Sequence, residues 1–472
     1  MHRRAVVKDG LDPPADSGRE TGTGRHVAVI GGGASGVLMG LHLLRQPGDL
    51  RVTLIEGQGP MGLGIAYATT DPEHLLNTRV HNMSAFHDDP HHFHRWLEQR
   101  ADGAKVSDQG FVSRATYGAY LGALLAENDD NPRLHRLFQA VVGLQETDTG
   151  VNVQLADGQS LDVDRAVLAT GHATPDKARQ WPIVGAWQPH VASDPQGLII
   201  LIGSGLSMVD QVLSILKSGH EGPILSFSRR GLLPRNHTNT APLKVQAAEL
   251  PLGASVASLL RWARSLARLA EASGGTWRDA VDGIRPHVRT IWRALPQVER
   301  ARFLRHAATW WDVHRHRIPP QSQIVLDQAV LDGQLTIRKA TFQEARTRPD
   351  GLVDAVIRPF RRSQTEVLTA LRIVDCRGIR RDPETHASPL VAGLLSAGTA
   401  RIDPLRIGLE VDDHGRLIRA DSTITPAIYA IGPASRAAFW EITAIPDIRE
   451  QVARLAATLA TQPAFHRATT LK

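Results

Sequence analysis

The sequence contains a glycine-rich turn whose residue types and spacing suit it to hold a dinucleotide. Residues 31–36 read Gly-Gly-Gly-Ala-Ser-Gly, which is the pattern G-x-G-x-x-G. The first glycine permits a tight turn, the second lets the backbone approach a pyrophosphate, and the third lets a helix pack closely on a strand. Free N–H groups at the start of that helix favour bound phosphates. The predicted contacts come from Gly31, Gly33, Ala34, Ser35 and Gly36.

A strand and a helix are predicted on the two sides of this turn. Residues 27–30 form a short apolar run typical of a buried parallel strand, and residues 37–44 continue as a helix. A second strand ends at Glu56, 20 residues after Gly36. An acid at this place accepts hydrogen bonds from a ribose hydroxyl, so the whole unit indicates dinucleotide binding.

A second glycine turn follows another apolar strand. Residues 203–208 read GSGLSM, with methionine in place of the third glycine. Ser228 lies 25 residues after Gly203, where the first unit has Glu56 at 25 residues after Gly31, and two arginines come next. An acid suits a ribose 2′-hydroxyl, whereas serine with arginines suits a 2′-phosphate. The first unit is therefore predicted to bind FAD and the second to bind NADPH. The predicted NADPH contacts come from Gly203, Gly205, Leu206, Ser207, Arg229 and Arg230.

A long segment rich in glycine, threonine and asparagine follows Glu56. A loop of that length inside a compact domain is usually functional, and its place after the second strand predicts that it runs along the FAD. A packed surface loop is equally compatible with the pattern. The candidates to line the flavin are Gly62, Gly64, Tyr67, Asn77, Asn82, Met83 and Ser84.

The remaining strand signals predict that the chain leaves the FAD domain and later returns to it. Residues 140–168 alternate in polarity between turn signals, as in a β-meander, and end in Ala-Thr-Gly. Near the C-terminus, a strand, a turn and a helix with Pro446 in its first turn complete the domain. The positive end of that helix would face the flavin. The further FAD contacts predicted here are Thr170, Gly171, Gly432, Pro433 and Ile445.

The predicted fold class is α/β, with two Rossmann-like dinucleotide-binding domains and a helical insertion. In this arrangement the FAD domain is split by the NADPH domain. The predicted parts are a flexible tail at 1–24, the first part of the FAD domain at 25–192, the NADPH domain at 193–375 with its helical insertion at 250–318, and the second part of the FAD domain at 376–466.

The helical insertion ends in a dense aromatic and cationic run at residues 310–317. The run is compatible with a cap that binds a planar or anionic substrate. It is equally compatible with a helix end whose cations lie near the C-terminal dipole. Histidine titrates near neutral pH, so four histidines are weak candidates for proton transfer, although each is more often structural. They are His172, His237, His314 and His316.

Composition excludes several classes of protein. Of the 472 residues, 42% are hydrophobic and 22% are charged, as in ordinary globular proteins. No apolar run reaches membrane-spanning length, and no spacing suggests a metal or nucleic-acid site. The single cysteine, Cys376, excludes a disulfide redox pair and fits a cytoplasmic protein. The net charge of +6 reflects either a GC-rich genome or attraction of anionic ligands.

Several stretches resemble a bacterial FAD/NAD(P)-binding family of two-dinucleotide-binding flavoproteins. They are GIAYATTDPEHLLN, RATYGAYL, LIGSGLSMVD, SRRGLLPR, WWDVHRHR and FWEITAIPDIR. The chain is similar to class B flavin monooxygenases and to lysine and ornithine N-monooxygenases, and the resembled family includes an FAD-dependent urate hydroxylase. It departs from them at Gly432-Pro433, where such flavoproteins often have Gly-Asp with the acid on the ribityl chain of the flavin.

The resemblance implies an FAD-dependent, NADPH-using monooxygenase. Such an enzyme hydroxylates a small polar or heteroaromatic substrate with molecular oxygen, through a C4a-peroxyflavin. Two other functions stay open: an FAD/NAD(P)H oxidoreductase that passes electrons to another acceptor, and a non-enzymatic FAD-binding redox sensor. The sequence leaves the substrate and the oligomeric state open.

Overall fold

The computed structural model describes residues 25–100, 106–172, 182–187, 194–378 and 382–463. The predicted tail at 1–24 and residues 464–466 of the last predicted segment lie outside these described residues. The strands are β1 (His26–Ile30), β2 (Arg51–Ile55), β3 (Leu134–Leu137), β4 (Val141–Thr147), β5 (Gly150–Leu155), β6 (Ser160–Val163), β7 (Arg165–Leu168), β8 (Ile183–Gly185), β9 (Ile199–Ile202), β10 (Ile224–Ser228), β11 (Leu335–Thr347), β12 (Val353–Pro359), β13 (Glu366–Ala370), β14 (Arg372–Asp375), β15 (Arg416–Ile418) and β16 (Ile424–Ala430).

The helices are α1 (Ala34–Leu44), α2 (Gly64–Tyr67), α3 (His92–Glu98), α4 (Arg114–Ala126), α5 (Leu206–Lys217), α6 (Val256–Ala272), α7 (Trp277–Ile284), α8 (Val288–Ala294), α9 (Gln297–His306), α10 (Ala308–Arg315), α11 (Pro320–Leu331), α12 (Pro389–Ser396), α13 (Arg436–Phe439) and α14 (Ile445–Thr461). Short 3-10 turns occupy Val80–Asn82, Ala247–Glu249, Arg285–His287 and Gly432–Ser435. No helix in the described ranges is long and apolar enough to cross a membrane.

The first sheet has the order β15-β16-β7-β1-β2-β3, and its strands are parallel except for β15 at the edge. All five residues of β1 are buried, as expected for a central parallel strand covered by helices on both faces. Strand order reverses between β1 and β7, so the crevice at the end of β1 is the place where this fold binds ligands. Strand β16 arrives from the far end of the chain, and the first domain is therefore built from two separate segments.

The second sheet has the order β13-β12-β11-β10-β9-β14-β8. The strands from β8 to the first half of β11 pair in parallel, whereas β12 and β13 add an antiparallel hairpin to the second half of β11. Strand β8 corrects the predicted boundary at residue 192, because Ile183 pairs with Ile373 inside this second sheet. Residues Ile183–Gly185 therefore belong to the second sheet. A strand of three residues carries too little periodicity to be assigned to a sheet from sequence.

The meander and the insertion surround these two sheets. Strands β4, β5 and β6 form the antiparallel meander that the alternating pattern predicts. Helices α6 to α10 lie within the segment predicted as the helical insertion. The insertion packs on the first domain through aromatic rings, with Trp292 stacked on Trp440 at 4.7 Å between ring centroids. The indole nitrogen of Trp292 also donates to the carbonyl of Ala437 at 2.9 Å.

Helix α3 begins later than its sequence suggests. Asp89-Pro90 reads as an N-cap followed by proline at the first helical position, but the helix begins at His92 with His91 as its N-cap. The carbonyl of Asp89 instead accepts a hydrogen bond from Ser84 Oγ at 2.6 Å, and its carboxylate pairs with Arg95 at 2.5 Å. These tertiary and local contacts hold Asp89 in the preceding turn.

A buried ion pair joins the two domains. Arg114 at the start of α4 lies 2.9 Å from a carboxylate oxygen of Asp210 on α5. Burial raises the pKa of Asp210, whereas the nearby guanidinium lowers it. His74 adds a second contact, with Nε2 at 2.8 Å from Ser214 Oγ on the same helix. These contacts hold α4 and the loop that follows β2 against α5, which is the helix after the second glycine turn.

We expect Arg114→Met to destabilise the protein by about 3–5 kcal/mol, because it leaves the Asp210 carboxylate buried without its partner. Urea unfolding measures the change. Arg348→Met is the matched control, since Arg348 and Asp350 are both more than a third exposed and solvent screens their pair, which should therefore contribute little to stability. Equal losses in the two variants would contradict a joining role for the buried pair.

Candidate functional site

The first glycine turn brings three backbone segments into close contact. Gly31 has φ +107°, and a Cβ built on it would lie 2.5 Å from the carbonyl oxygen of Ala169 at the end of β7. A Cβ on Gly36 would lie only 1.8 Å from the carbonyl oxygen of Gly31. Any side chain would push helix, turn and strand apart, so both positions require glycine. This agrees with the packing role that the sequence pattern predicts for them.

Helix α1 begins beside this contact with no side chain covering its N-terminus. Gly33 is the N-cap and provides no side-chain hydrogen bond. The N–H groups of Ala34, Ser35 and Gly36 lie in the first helical turn, where no carbonyl of the same helix can accept from them. A Cβ on Gly33 would be 3.6 Å from Cα of Gly64, so the loop that follows β2 passes over the turn. The arrangement suits a phosphate between loop and helix.

Glu56 is oriented by the same turn. Its Oε2 accepts from the N–H of Gly32 and its Oε1 from the N–H of Gln58, both at 2.8 Å. A carboxylate has about four acceptor positions, so two remain for ribose hydroxyls. The structure thus places the acid at the end of β2 with acceptor positions free, and its contact with the FAD ribose stays a prediction.

The C-terminal segment completes the first site from the opposite side. Gly432 has φ +59°, and a Cβ on it would lie 2.6 Å from Oγ of Ser35. Its N–H donates to Oε1 of Gln451 on α14 at 2.8 Å, and Pro433 continues the same 3-10 turn. Helix α14 begins at Ile445 with Ala444 as an uncapped N-cap. Thr170 and Gly171 follow β7 directly, next to Ala169 and the first turn.

The loop after Glu56 divides into cofactor-facing and structural residues. Gly64 approaches the first turn, whereas the Tyr67 ring packs on Tyr117 with centroids 4.9 Å apart. Met83 and Ser84 are buried, and the Ser84 hydroxyl bonds to backbone carbonyls of its own loop. The Ser84 hydroxyl therefore helps to hold this loop together, and the contact of Met83 and Ser84 with the flavin stays a prediction.

Arg449 is a residue of this site that the sequence reasoning missed. Its Nη1 donates to the carbonyls of Asn82 at 3.3 Å and Ser84 at 3.1 Å, which fastens α14 to the loop. Asn77 has a similar structural contact, since its carbonyl lies 3.0 Å from Nε2 of His237. These partners are 160 or more positions apart in the chain, so no local pattern connects them.

The second glycine turn repeats the geometry of the first. Gly203 has φ +114°, and a Cβ on it would lie 2.5 Å from the carbonyl oxygen of Cys376 at the end of β14. Helix α5 begins at Leu206 and Ser207, with Gly205 as an uncapped N-cap. Met208, in place of the third glycine, is fully buried in the core of the second domain.

Arg229 and Arg230, the two arginines predicted to bind NADPH, follow β10 and have different surroundings. Ser228 Oγ accepts from Ser204 Oγ at 2.8 Å and from the N–H of Gly231 at 2.9 Å, which fixes the strand end against the glycine turn. Arg230 donates to the carbonyl of Arg305 in α9 at 2.9 Å, so it holds the insertion in place. Arg229 is exposed and lines a pocket at the end of β10.

The aromatic and cationic run in α10 connects the helical insertion to the C-terminal segment through ion pairs and a hydrogen bond. Arg315 pairs with Glu441 at 3.0 Å and lies 3.6 Å from Asp447, and Trp311 donates to Glu441 through its indole nitrogen. Arg285 from the preceding helices reaches Asp447 at 3.3 Å. The two arginines of the run are thus both paired, Arg315 with acids of the C-terminal segment and Arg317 with Asp282 of α7. The substrate-binding cap and the helix end both stay open as interpretations of the run.

The four candidate histidines are in different surroundings. Burial and the nearby Arg436 guanidinium together lower the pKa of His172 to about 3, and burial with the guanidiniums of Arg315 and Arg436 lowers the pKa of His316 to about 3. Burial also lowers the pKa of His237 to about 4. These three imidazoles are therefore neutral at pH 7 and carry no proton to donate as acids. His314 bonds through Nδ1 to the carbonyl of Trp310 at 2.7 Å and has a structural place.

The described residues offer neither a metal-binding cluster nor a reactive thiol. No group of three or more His, Cys, Asp and Glu side chains in these ranges is arranged to hold a metal ion. Cys376 is buried as a free thiol, and burial raises its pKa. A buried protonated thiol is not suited to redox exchange.

Two glycine turns at the carboxyl edges of two Rossmann-like sheets define a two-dinucleotide-binding flavoprotein fold. Residues 28–173 match a sequence family described as FAD-NAD(P)-binding. This match confirms the predicted cofactor class. The uncharacterized protein YdhS of Escherichia coli is 24% identical over 212 residues, which are 40% of this chain and 39% of that protein. The match thus spans about two fifths of the relative.

Solved structures share the fold over almost the whole chain. Ornithine hydroxylase of Pseudomonas aeruginosa superposes with a TM-score of 0.62 at 15% identity, covering 93% of this chain and 99% of that one. Ornithine N-hydroxylase of a Kutzneria species gives 0.61 at 12% identity with 93% and 99% covered. L-lysine 6-monooxygenase of Pseudomonas syringae gives 0.59 at 15% identity with 93% and 100% covered. These similarities confirm the predicted fold class and the predicted resemblance to lysine and ornithine N-monooxygenases.

We expect Gly205→Ala to raise the KM for NADPH by roughly tenfold or more, a loss of about 1.4 kcal/mol of binding. The structure has room for the methyl group, because a Cβ at Gly205 meets no atom within 4 Å. The added group would instead occupy the place of a pyrophosphate. Steady-state NADPH oxidation measures KM. Gly393→Ala, where a Cβ meets only one carbonyl at 3.9 Å, is the control. An unchanged KM in Gly205→Ala would place the pyrophosphate elsewhere.

We expect the free energy of unfolding to fall as pH decreases from about 6.5 to 4, in part through His237. The folded protein keeps His237 neutral down to about pH 4, whereas the unfolded chain protonates near pH 6.5. The unfolded state thus binds more protons in this window and gains stability. His237→Gln should flatten the slope by about one proton. Unfolding measured across this pH range tests it, with exposed His414→Gln as the control that leaves the slope unchanged. A wild-type slope in His237→Gln would contradict a buried neutral imidazole.

Proposed function

We propose that this chain is an FAD-dependent, NADPH-using monooxygenase that hydroxylates a small polar or heteroaromatic molecule with molecular oxygen. One observation carries the proposal. The chain presents two uncapped helix starts at two sheet edges, and the strand ends beside them differ in charge. Glu56 stands beside the first start, and Ser228 with Arg229 stands beside the second. The difference suits FAD at one site and a 2′-phosphorylated dinucleotide at the other.

The FAD site is assembled from both segments of the first domain. The N–H groups of Ala34 and Ser35 and the dipole of α1 bind the pyrophosphate, and Glu56 binds the ribose. Gly64 and Gly432 supply bare backbone on either side, so the cofactor can approach closely. The N-terminus of α14 at Ile445 lends positive partial charge to the same region.

The NADPH site uses the second domain in the same way. The start of α5 at Leu206 and Ser207 binds the pyrophosphate, and Gly205 leaves room for it. The ion pair between Arg114 and Asp210 holds α5 against the first domain. The two dinucleotide sites are therefore kept in a fixed relation, which hydride transfer between two rings requires.

FAD, when bound, supplies the redox chemistry by accepting a hydride from NADPH and delivering electrons to oxygen. The side chains of this protein position the rings and exclude water. The joint of Trp311, Arg315 and Glu441 closes the insertion on the C-terminal segment. His172 and His316, whose pKa burial lowers to about 3, stay neutral at pH 7 and therefore add no positive charge to this region.

The named relatives support the reaction class. The structures that share this fold include hydroxylases of ornithine and of lysine, and one of them is described with reduced FAD, NADP⁺ and L-ornithine. We infer from them the use of oxygen to hydroxylate a small polar compound. The identity of 12–15% carries no inference about which compound this chain uses.

Stopped-flow spectroscopy of the purified holoenzyme tests the proposal. We expect NADPH to reduce the flavin without oxygen, and oxygenated buffer then to produce an oxygen adduct at C4a of the flavin that decays faster with a substrate present. Rapid return to the oxidised spectrum with every substrate tried would favour an oxidoreductase with another acceptor. A flavin that NADPH does not reduce would leave only a binding or sensing role.

A further inference from the structure

A basic pocket opens beside the second glycine turn. It has a volume of about 170 Å³ and lies where β10 ends and the β12–β13 hairpin begins. Four of its eight lining residues are arginines, and each of the four is exposed. The arginines are Arg229, Arg358, Arg361 and Arg362, and the other lining residues are Ala340, Thr341, Pro359 and Phe360.

The four arginines have no acidic partner among the described residues. Other arginines of the same sheet are paired: Arg338 with Glu366 at 2.6 Å, and Arg348 with Asp350 at 3.1 Å. Four like charges around one pocket repel one another, and an anion from outside the chain would remove the repulsion. The contrast between paired and unpaired arginines indicates a pocket that is completed by a ligand.

The backbone presents two of these arginines in a tight turn. The N–H of Arg362 donates to the carbonyl of Pro359 at 3.1 Å, and the N–H of Phe360 donates to the carbonyl of Lys339 at 2.9 Å. Arg361 has φ +59°, a left-handed conformation that a long side chain rarely adopts. Its guanidinium carbon lies 5.1 Å from the ring centroid of Phe360, and both residues line the pocket.

The pocket adjoins the place of the second dinucleotide. Arg229 directly follows Ser228, and Ser228 is bonded to Ser204 of the glycine turn at 2.8 Å. In a dinucleotide-binding unit the pyrophosphate lies on the glycine turn, and the adenosine ribose lies at the end of the next strand. The ribose 2′-substituent therefore faces the end of β10, where the pocket opens.

We propose that this pocket binds a phosphate monoester, namely the 2′-phosphate of NADPH, and that Arg361 and Arg362 of the hairpin select NADPH over NADH together with Arg229. The proposal rests on the proposed function and adds residues that lie outside the glycine-turn unit. Guanidinium groups match phosphate oxygens in bidentate geometry, and several of them around one dianion provide selectivity as well as affinity. Arg230, which follows Arg229 in the chain, has no part in it.

Calorimetric titration of the oxidised FAD-bound protein with NADP⁺ and NAD⁺ tests the proposal. Arg361→Asn keeps the left-handed turn, since asparagine tolerates it, and Arg362→Gln keeps a polar side chain. We expect each variant to raise the Kd for NADP⁺ by roughly tenfold or more, the loss typical of one charge-assisted hydrogen bond. The Kd for NAD⁺ should stay unchanged. Arg346→Gln, which removes an exposed arginine paired with Glu344 in the same strand, is the matched control.

Competition titrations separate the cofactor phosphate from another source of phosphate. We expect 2′,5′-ADP to displace NADP⁺ and to bind more tightly than 5′-AMP in the wild type, and to lose that advantage in both variants. Unchanged NADP⁺ binding in the variants, or equal weakening of NADP⁺ and NAD⁺, would overturn the proposal. Inorganic phosphate that binds the wild type without displacing NADP⁺, and does not bind the variants, would also overturn it, since the pocket would then serve a separate anion. Flavin reduction by NADPH in the same preparations reports on the proposed function independently of these results.

Discussion

Close contact between a glycine turn and the end of a neighbouring strand is the constraint on which both halves of this protein depend. A Cβ on Gly31 or on Gly203 would lie 2.5 Å from a carbonyl oxygen, of Ala169 in the first case and of Cys376 in the second. The contact allows no side chain at either turn. The helix that follows begins after a second glycine of the same turn, Gly33 or Gly205, which provides no side-chain cap, so backbone N–H groups face the crevice at the sheet edge. The packing requirement and the predicted phosphate site therefore lie in the same turn but at different glycines.

The two units share this geometry and differ at the end of the second strand. Glu56 is turned toward the glycine turn by two backbone N–H groups. Ser228 is bonded to Ser204, and Arg229 extends beyond it toward a pocket that a distant hairpin completes. One scaffold therefore offers acceptors to a ribose at one site and cations to a phosphate at the other. This division of charge gives the two sites their different cofactors in the proposed function.

Buried ionic contacts hold the pieces of the chain in one arrangement. Arg114 with Asp210 joins the two dinucleotide domains, and Arg315 with Glu441 joins the insertion to the C-terminal segment. A buried charge whose partner is lost is costly, so each pair favours a single docked geometry. Trp440 contributes to the second joint in a left-handed conformation with φ +55°, stacked on Trp292. Such strain persists only where surrounding packing determines it.

The sequence by itself determined the features that depend on local spacing. The two glycine turns, the acid at Glu56, the meander and the split first domain follow from chain neighbours, because strand and helix periodicity and turn chemistry are local. Only the tertiary structure decided which charges are paired. The sequence leaves open whether the run around Arg315 binds a substrate or ends a helix, and only the structure pairs Arg315 with Glu441. Arg229 and Arg230 are equivalent in the sequence, whereas in the structure Arg230 donates to a carbonyl of α9 and Arg229 lines the pocket. Partners more than 70 positions apart leave no periodic signal, so their pairing follows from packing alone.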